Sequence, residues 1–109
     1  MDVKKLEKNQ DISKLSEKEF LILGLLIGRG ELFGLELVDA SNGKLKRGTV
    51  YVTLQRMVEK GLVDSREEPR ILPEIGIPRR KYQVTGLGER AFRAQKAAME
   101  QFQLIWGEV

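Results

Sequence analysis

Between residues 44 and 58 the chain places Lys44, Lys46, Arg47 and Arg56 and no acidic side chain, so four positive charges stand together without local neutralisation. Elsewhere charge is nearly balanced, with 6 basic and 8 acidic residues before this segment and 9 and 8 after it. The formal net charge of +3 therefore belongs to one short stretch. Interleaved with the cations are Thr49, Val52, Thr53 and Gln55. Lysine and arginine suit phosphate oxygens, glutamine suits adenine, arginine also suits guanine, and a valine or threonine methyl suits the thymine methyl group. These types in this spacing predict contact with duplex nucleic acid, the cations gripping the backbone and the rest reading base edges. The plainer reading is a solvated face on which Lys44 and Lys46 merely keep a loop soluble.

Composition removes most other chemistry. Cysteine and histidine are absent, so thiol nucleophiles, disulfides, zinc sites built on these residues and the commonest general base are excluded. The carboxylates are scattered singly through charged neighbourhoods, and no acid–base pair can be picked out. The expectation is a protein that is not an enzyme and uses no metal and no cofactor. The start, Met1-Asp2-Val3-Lys4-Lys5, lacks a secretory pattern, and the apolar run Phe20 to Ile27 is far too short to span a bilayer. A cytoplasmic protein without a membrane partner is expected.

The basic segment must be held by neighbouring elements. Residues 1–15 read as a polar arm anchored by Val3, Leu6 and Ile12. Ser16 and Glu19 form a capping box directly before Phe20 to Ile27, predicting a buried central helix that ends near Gly28 to Gly30. A short helix is expected over Phe33 to Ser41, with Leu35, Leu37 and Val38 inward and Asn42-Gly43 as its stop. From about Arg47 to Lys60, Val50, Leu54, Met57 and Val58 recur at helical spacing and form the core face. Thr49, Val52, Gln55, Arg56 and Glu59 then point away, with Tyr51 on the flank. Gly61 stops this helix.

Residues 62–66 and 80–84 read as strands joined by a loop containing Pro69, Pro73 and Pro78. The hairpin carries Arg66, Arg70, Arg79, Arg80 and Lys81, and alternation sends Arg80 and Lys81 to opposite faces. Arg70 and Arg79 are the better candidates for backbone or minor-groove contact, and Arg80 is a further candidate at the DNA. Thr85 caps a last helix to about Trp106, although Gly88 stands where a capping box would have Glu. Its stripe includes Phe92, Ala98, Met99, Phe102, Ile105 and Trp106, more apolar surface than a small domain needs, which predicts a homodimer interface. The order is mainly α with a small β-hairpin: a winged helix-turn-helix over 16–85 and a C-terminal dimerisation helix over 86–109.

Gly34-Leu35-Glu36-Leu37, Gly48-Thr49-Val50-Tyr51, the run Leu54 to Val63, and Pro78 to Gly88 together resemble the PadR family of bacterial transcriptional regulators over roughly residues 15–106. The resemblance implies DNA binding as a homodimer at an inverted-repeat operator, repression of a nearby promoter, and dimerisation through the C-terminal helix. It also implies that Gly48 to Tyr51 open the recognition helix, with Tyr51 facing the DNA backbone. Members often have Ser-Pro before Gly-Thr; here Lys46-Arg47 stand there, which leaves the helix start open by a residue or two and implies a more electrostatic grip. Some relatives respond to small aromatic or cationic hydrophobic molecules, and an aromatic effector would find Met99, Phe102 and Trp106, although such a stripe more often packs an interface. A winged-helix module that binds protein instead of DNA is the alternative, against which the acid-free segment argues.

Overall fold

The structure is a computed structural model that describes residues 14–68 and 79–107. Four helices and three short strands follow in the order α1 (Glu17–Arg29), β1 (Leu32–Phe33), α2 (Gly34–Ala40), α3 (Val50–Glu59), β2 (Val63–Glu67), β3 (Arg80–Val84) and α4 (Gly86–Trp106). The N-terminal arm beyond Lys14, the loop with the three prolines and Arg70 lie outside the described residues.

The expected capping box opens α1: the Ser16 hydroxyl accepts from the Glu19 N–H, and the Glu19 carboxylate accepts from the Ser16 N–H. Ile22, Leu23 and Leu26 are sealed in the core, whereas Phe20, Leu21 and Leu25 are half-buried on the side that meets α4. Gly30, at φ +85, ends the helix in a conformation that L side chains rarely adopt.

Helix α2 is shorter than expected, and Leu35 is exposed instead of inward. The reason is angular: Leu37 is fully buried, and two residues on a helix lie about 200° apart, so Leu35 faces solvent. Asn42 and Gly43 both take positive φ and reverse the chain. The buried Ser41 hydroxyl donates to the Val38 carbonyl and accepts from the Leu45 N–H, which fixes buried Leu45 as the anchor of the turn.

Helix α3 begins at Val50, not at Arg47. The Lys46 carbonyl accepts from both Thr49 and Val50 N–H, so residues 47–49 form a turn that feeds the helix. Val50, Leu54 and Met57 are buried as expected. Gly61, at φ +78, stops the helix.

The hairpin forms, but its sheet has a third member that periodicity did not reveal. The strand order is β1-β3-β2, with Leu32 opposite Tyr82 and Phe33 opposite Lys81 on one side, and Val63 opposite Val84 and Glu67 opposite Arg80 on the other. At two residues, β1 is too short to alternate detectably. Tyr82 and Val63 point into the core. Burial drives the Tyr82 phenol above its ordinary range, and the nearby Tyr51 adds to this while Arg80 opposes it.

Thr85 caps α4 by accepting from the Gly88 N–H while its own hydroxyl donates to the Gly61 carbonyl. Gly88 is buried so closely against the residue before β2 that a Cβ there would collide with the Leu62 carbonyl oxygen. That contact explains why no Glu completes a capping box at this helix start.

Candidate nucleic-acid interface

The outer face of α3 is built by its register. With Val50, Leu54 and Met57 fixed in the core, Val52, Gln55, Arg56 and Glu59 are exposed on the far side. Val52 is 54% exposed, an apolar side chain offered to solvent among polar ones. Thr53, expected on this face, is half-buried, and its hydroxyl turns back to the Thr49 carbonyl at 3.4 Å, at the limit for a hydrogen bond. Thr49, Thr53 and Arg56 border a groove whose other wall is the start of α1. Tyr51 occupies the opposite flank, about half-exposed.

Lys46 and Arg47 lie in the turn before α3, both exposed. The structure separates Lys44 from them, because it lines a different cavity between α1 and α4. Among the described residues, Lys44, Lys46, Arg47, Arg56 and Arg79 meet no carboxylate within ion-pair distance.

The other cations of the wing are engaged. Arg66 donates two bonds to Glu31, at 2.8 and 3.0 Å, and one to Glu68 at 2.8 Å. The hydrogen bond from Arg66 holds the Glu31 carboxyl below its usual range. Lys81 pairs with Glu68 at 3.3 Å, and Arg80 pairs with Glu67 at 3.6 Å and donates to the Ser65 hydroxyl. Arg80, a candidate for DNA contact, is thus engaged within its own hairpin by an exposed pair that leaves its side chain 45% exposed. Arg79 instead lies over the Phe33 ring, 3.8 Å from its centroid.

One ion pair tethers α3 to α1. Lys60, at the C-cap of α3, reaches Glu19 at 2.7 Å, and the Glu19 residue is 5% exposed. Burial alone would raise the Glu19 carboxyl, but hydrogen bonds from Lys60 and the Ser16 N–H, with the Lys60 charge, outweigh it and hold the group below its ordinary range. Sequence reading found the Ser16–Glu19 box but not its third member, 41 residues away.

The α4 stripe divides in two. Phe92, expected at a dimer interface, is committed to its own chain: its ring stacks on Phe20 at 4.5 Å, and a Cβ on Gly24 would come within 3.1 Å of it. Gln95 clamps the Leu15 backbone, accepting from its N–H and donating to its carbonyl. Beyond Gln95, Ala98 is exposed, and Met99, Phe102, Ile105 and Trp106 each leave more than half of their surface uncovered. Leu104, 82% exposed, lies on the opposite side of the helix from Phe102 and Trp106 and escaped the sequence reading. Among the described residues, no helix is long and apolar enough to cross a membrane, and no cluster of acidic residues is arranged to hold a metal ion.

Three helices, with a turn leading into the third, and a small sheet whose hairpin flanks that helix define a winged helix-turn-helix fold of the DNA-binding kind. The chain belongs to the PadR-like family of transcriptional regulators, whose family model matches residues 22–94. Among solved structures, a PadR family transcription regulator from Clostridium difficile R20291 is similar, with TM-score 0.72 and 23% identity over 85% of this chain and 97% of that one. A PadR-like transcription factor from Bacteroides fragilis superposes with TM-score 0.69 at 19% identity, covering 97% and 96%. The PcaV transcriptional regulator from Streptomyces coelicolor, in complex with its natural ligand, gives TM-score 0.70 at 18% identity over 87% of this chain and 63% of that one. At these identities the structural likenesses carry the fold alone. A search of curated proteins finds no match to this sequence.

Proposed function

We propose that this DNA-binding regulator works as a cytoplasmic homodimer, reads an inverted-repeat operator in double-stranded DNA with α3, and represses the promoter that contains it. On this reading residues 16–85 are the DNA-binding unit and residues 86–109 the dimerisation segment, built on α4. The observation that carries the reading is a difference in pairing. The wing carboxylates Glu31, Glu67 and Glu68 are matched by Arg66, Arg80 and Lys81, while Lys46, Arg47, Arg56 and Arg79 around α3 remain unmatched among the described residues. An anion that meets this face finds cations with donors to spare, and a DNA phosphate is such an anion. Val52, Gln55 and Arg56 then face the bases, and Tyr51 the backbone. The exposed tip of α4 supports pairing with a second copy, which would cover Met99, Phe102, Ile105 and Trp106.

The test is fluorescence anisotropy on random duplexes and on duplexes selected from a random pool. Binding should weaken linearly in log salt, with a slope of about −0.9 per phosphate neutralised, and should favour the selected site. No binding at low salt, or no preference among duplexes, would refute the reading and leave a protein-binding module in its place. A second reading, a small aromatic effector, is favoured by a cavity of about 650 Å³ whose apolar lining is Phe20, Leu21, Leu25, Phe92 and Met99, with Glu17, Lys18, Lys44 and Gln95 as its polar lining. A planar aromatic compound that occupies it should raise the melting temperature and alter operator affinity.

A further inference from the structure

We propose that Phe33 and Gly34, the two residues that join β1 to α2, position the two groups that grip the DNA backbone on either side of the wing–helix junction: the Phe33 ring holds Arg79, and the bare Cα of Gly34 seats the ring of Tyr51. The inference rests on the DNA-binding reading above and adds to it the residues that set the geometry of the grip.

Arg79 and Arg66 are held in contrasting ways. The Arg66 donors are occupied by Glu31 and Glu68 in the plane of the guanidinium. Arg79 is held through its face, 3.8 Å above the Phe33 centroid, and among the described residues no carboxylate pairs with it. Stacking on a ring fixes a guanidinium while leaving its in-plane N–H groups free, and those are the donors a phosphate takes. The ring is itself held in place, because Phe33 sits in β1 opposite Lys81, whose ammonium lies 5.1 Å from the same centroid.

Gly34 is buried, and its φ is not among the positive values of the chain, so backbone conformation does not call for glycine there. Space does. A Cβ at this position would lie 2.6 Å from Tyr51 Cε1 and 2.9 Å from both Cζ and the hydroxyl oxygen. The obstacle is the far end of a half-exposed side chain, so an added methyl group displaces the phenol and leaves the backbone in place. Among the described residues the Tyr51 hydroxyl has no hydrogen-bond partner, which leaves it free for a phosphate oxygen. Because Phe33 and Gly34 are consecutive, one dipeptide fixes a wing cation and a recognition-helix hydroxyl relative to each other.

The experiment is a pair of double-mutant cycles on the full chain, read by anisotropy with a selected duplex and by melting temperature. Gly34→Ala and Tyr51→Ala should each lower affinity about tenfold, and their combination should be no worse than Tyr51→Ala alone. Phe33→Leu and Arg79→Ala should show the same non-additivity, with Arg79→Ala reducing the salt slope by about one. Should Gly34→Ala melt early, adding Tyr51→Ala restores the melting temperature if the ring is the obstacle. Additive losses in either cycle, or failure of that restoration, would overturn the proposal while DNA binding stands. A parent protein that binds no duplex overturns both readings together.

Discussion

Replacing Glu19 with glutamine tests how α3 is held, because it keeps the shape of the side chain and removes only its charge. In the parent, one carboxylate oxygen accepts from the Ser16 N–H at 2.9 Å and the other from the Lys60 ammonium at 2.7 Å. Glutamine can keep the first bond through its carbonyl oxygen, but then turns an N–H₂ group toward the ammonium, donor against donor. A hydrogen bond to a charged group contributes about 1.5–3 kcal/mol net. The Lys60 side chain is 45% exposed and can withdraw into water, so the lower end applies, about 1.5 kcal/mol. For a domain of this size that corresponds to a fall of roughly 6–10 °C in melting temperature at fixed protein concentration. The loss should also depend on pH. The folded carboxyl titrates below its ordinary value of 4.5, so its contribution is complete above that pH and disappears as pH falls through the lower, folded value. Thermal unfolding followed by circular dichroism should therefore show a full gap between parent and Glu19→Gln at neutral pH that closes below about 4.5. A variant as stable as the parent at neutral pH, or a gap that persists unchanged into acid, would refute the reasoning.

Gly88→Ala should destabilise by about 3 kcal/mol, since the obstacle is the Leu62 backbone and not a movable side chain; urea unfolding should show a lower midpoint at constant m. Phe102→Glu should convert a dimer to a monomer in sedimentation while the melting of the helical domain stays near that of the parent, because Phe102 is 64% exposed in the single chain; a variant that stays dimeric would place the interface elsewhere. Gln55→Ala should cost about 1–3 kcal/mol on the selected duplex and much less on others, whereas Arg47→Ala should weaken all duplexes alike and flatten the salt dependence. Equal weakening of every duplex by Gln55→Ala would mean that another face of α3 meets the bases.

What could be read from the residues alone was whatever is encoded within a turn or two of helix. The Ser16–Glu19 box, the Asn42-Gly43 reversal and the Val50, Leu54, Met57 spacing are such signals, and each is present in the fold. Elements defined by a distant partner left no such trace. β1 exists because β3 lies beside it, Glu19 is neutralised by a lysine that no local pattern points to, and Phe33 acquires Arg79 only when the sheet forms. Among the candidate contacts, periodicity placed Val52, Gln55 and Arg56 outward, but it could not show that Thr53 folds back on Thr49 or that Arg80 is engaged by Glu67. Helical spacing along α4 likewise counted Phe92 in the surplus apolar surface, since it could not show Phe20 stacking on it, and left out the exposed Leu104.

Helix α4 is a lever as well as a surface. It is fastened at its base by Thr85 and Gly88 and again at Gln95, and beyond that fastening about 16 Å of helix runs to Trp106. A pivot of about 10° at Gln95 would swing the tip by about 3 Å, close to the rise of one base pair (~3.4 Å). If two chains pair through these tips, as proposed, the spacing between their α3 helices depends on how firmly α4 is held to α1, by the Gln95–Leu15 clamp and the Phe20–Phe92 stack together. On that reading, tolerance for operators of slightly different half-site spacing would be tuned at the α1–α4 seam, away from any residue proposed to meet DNA.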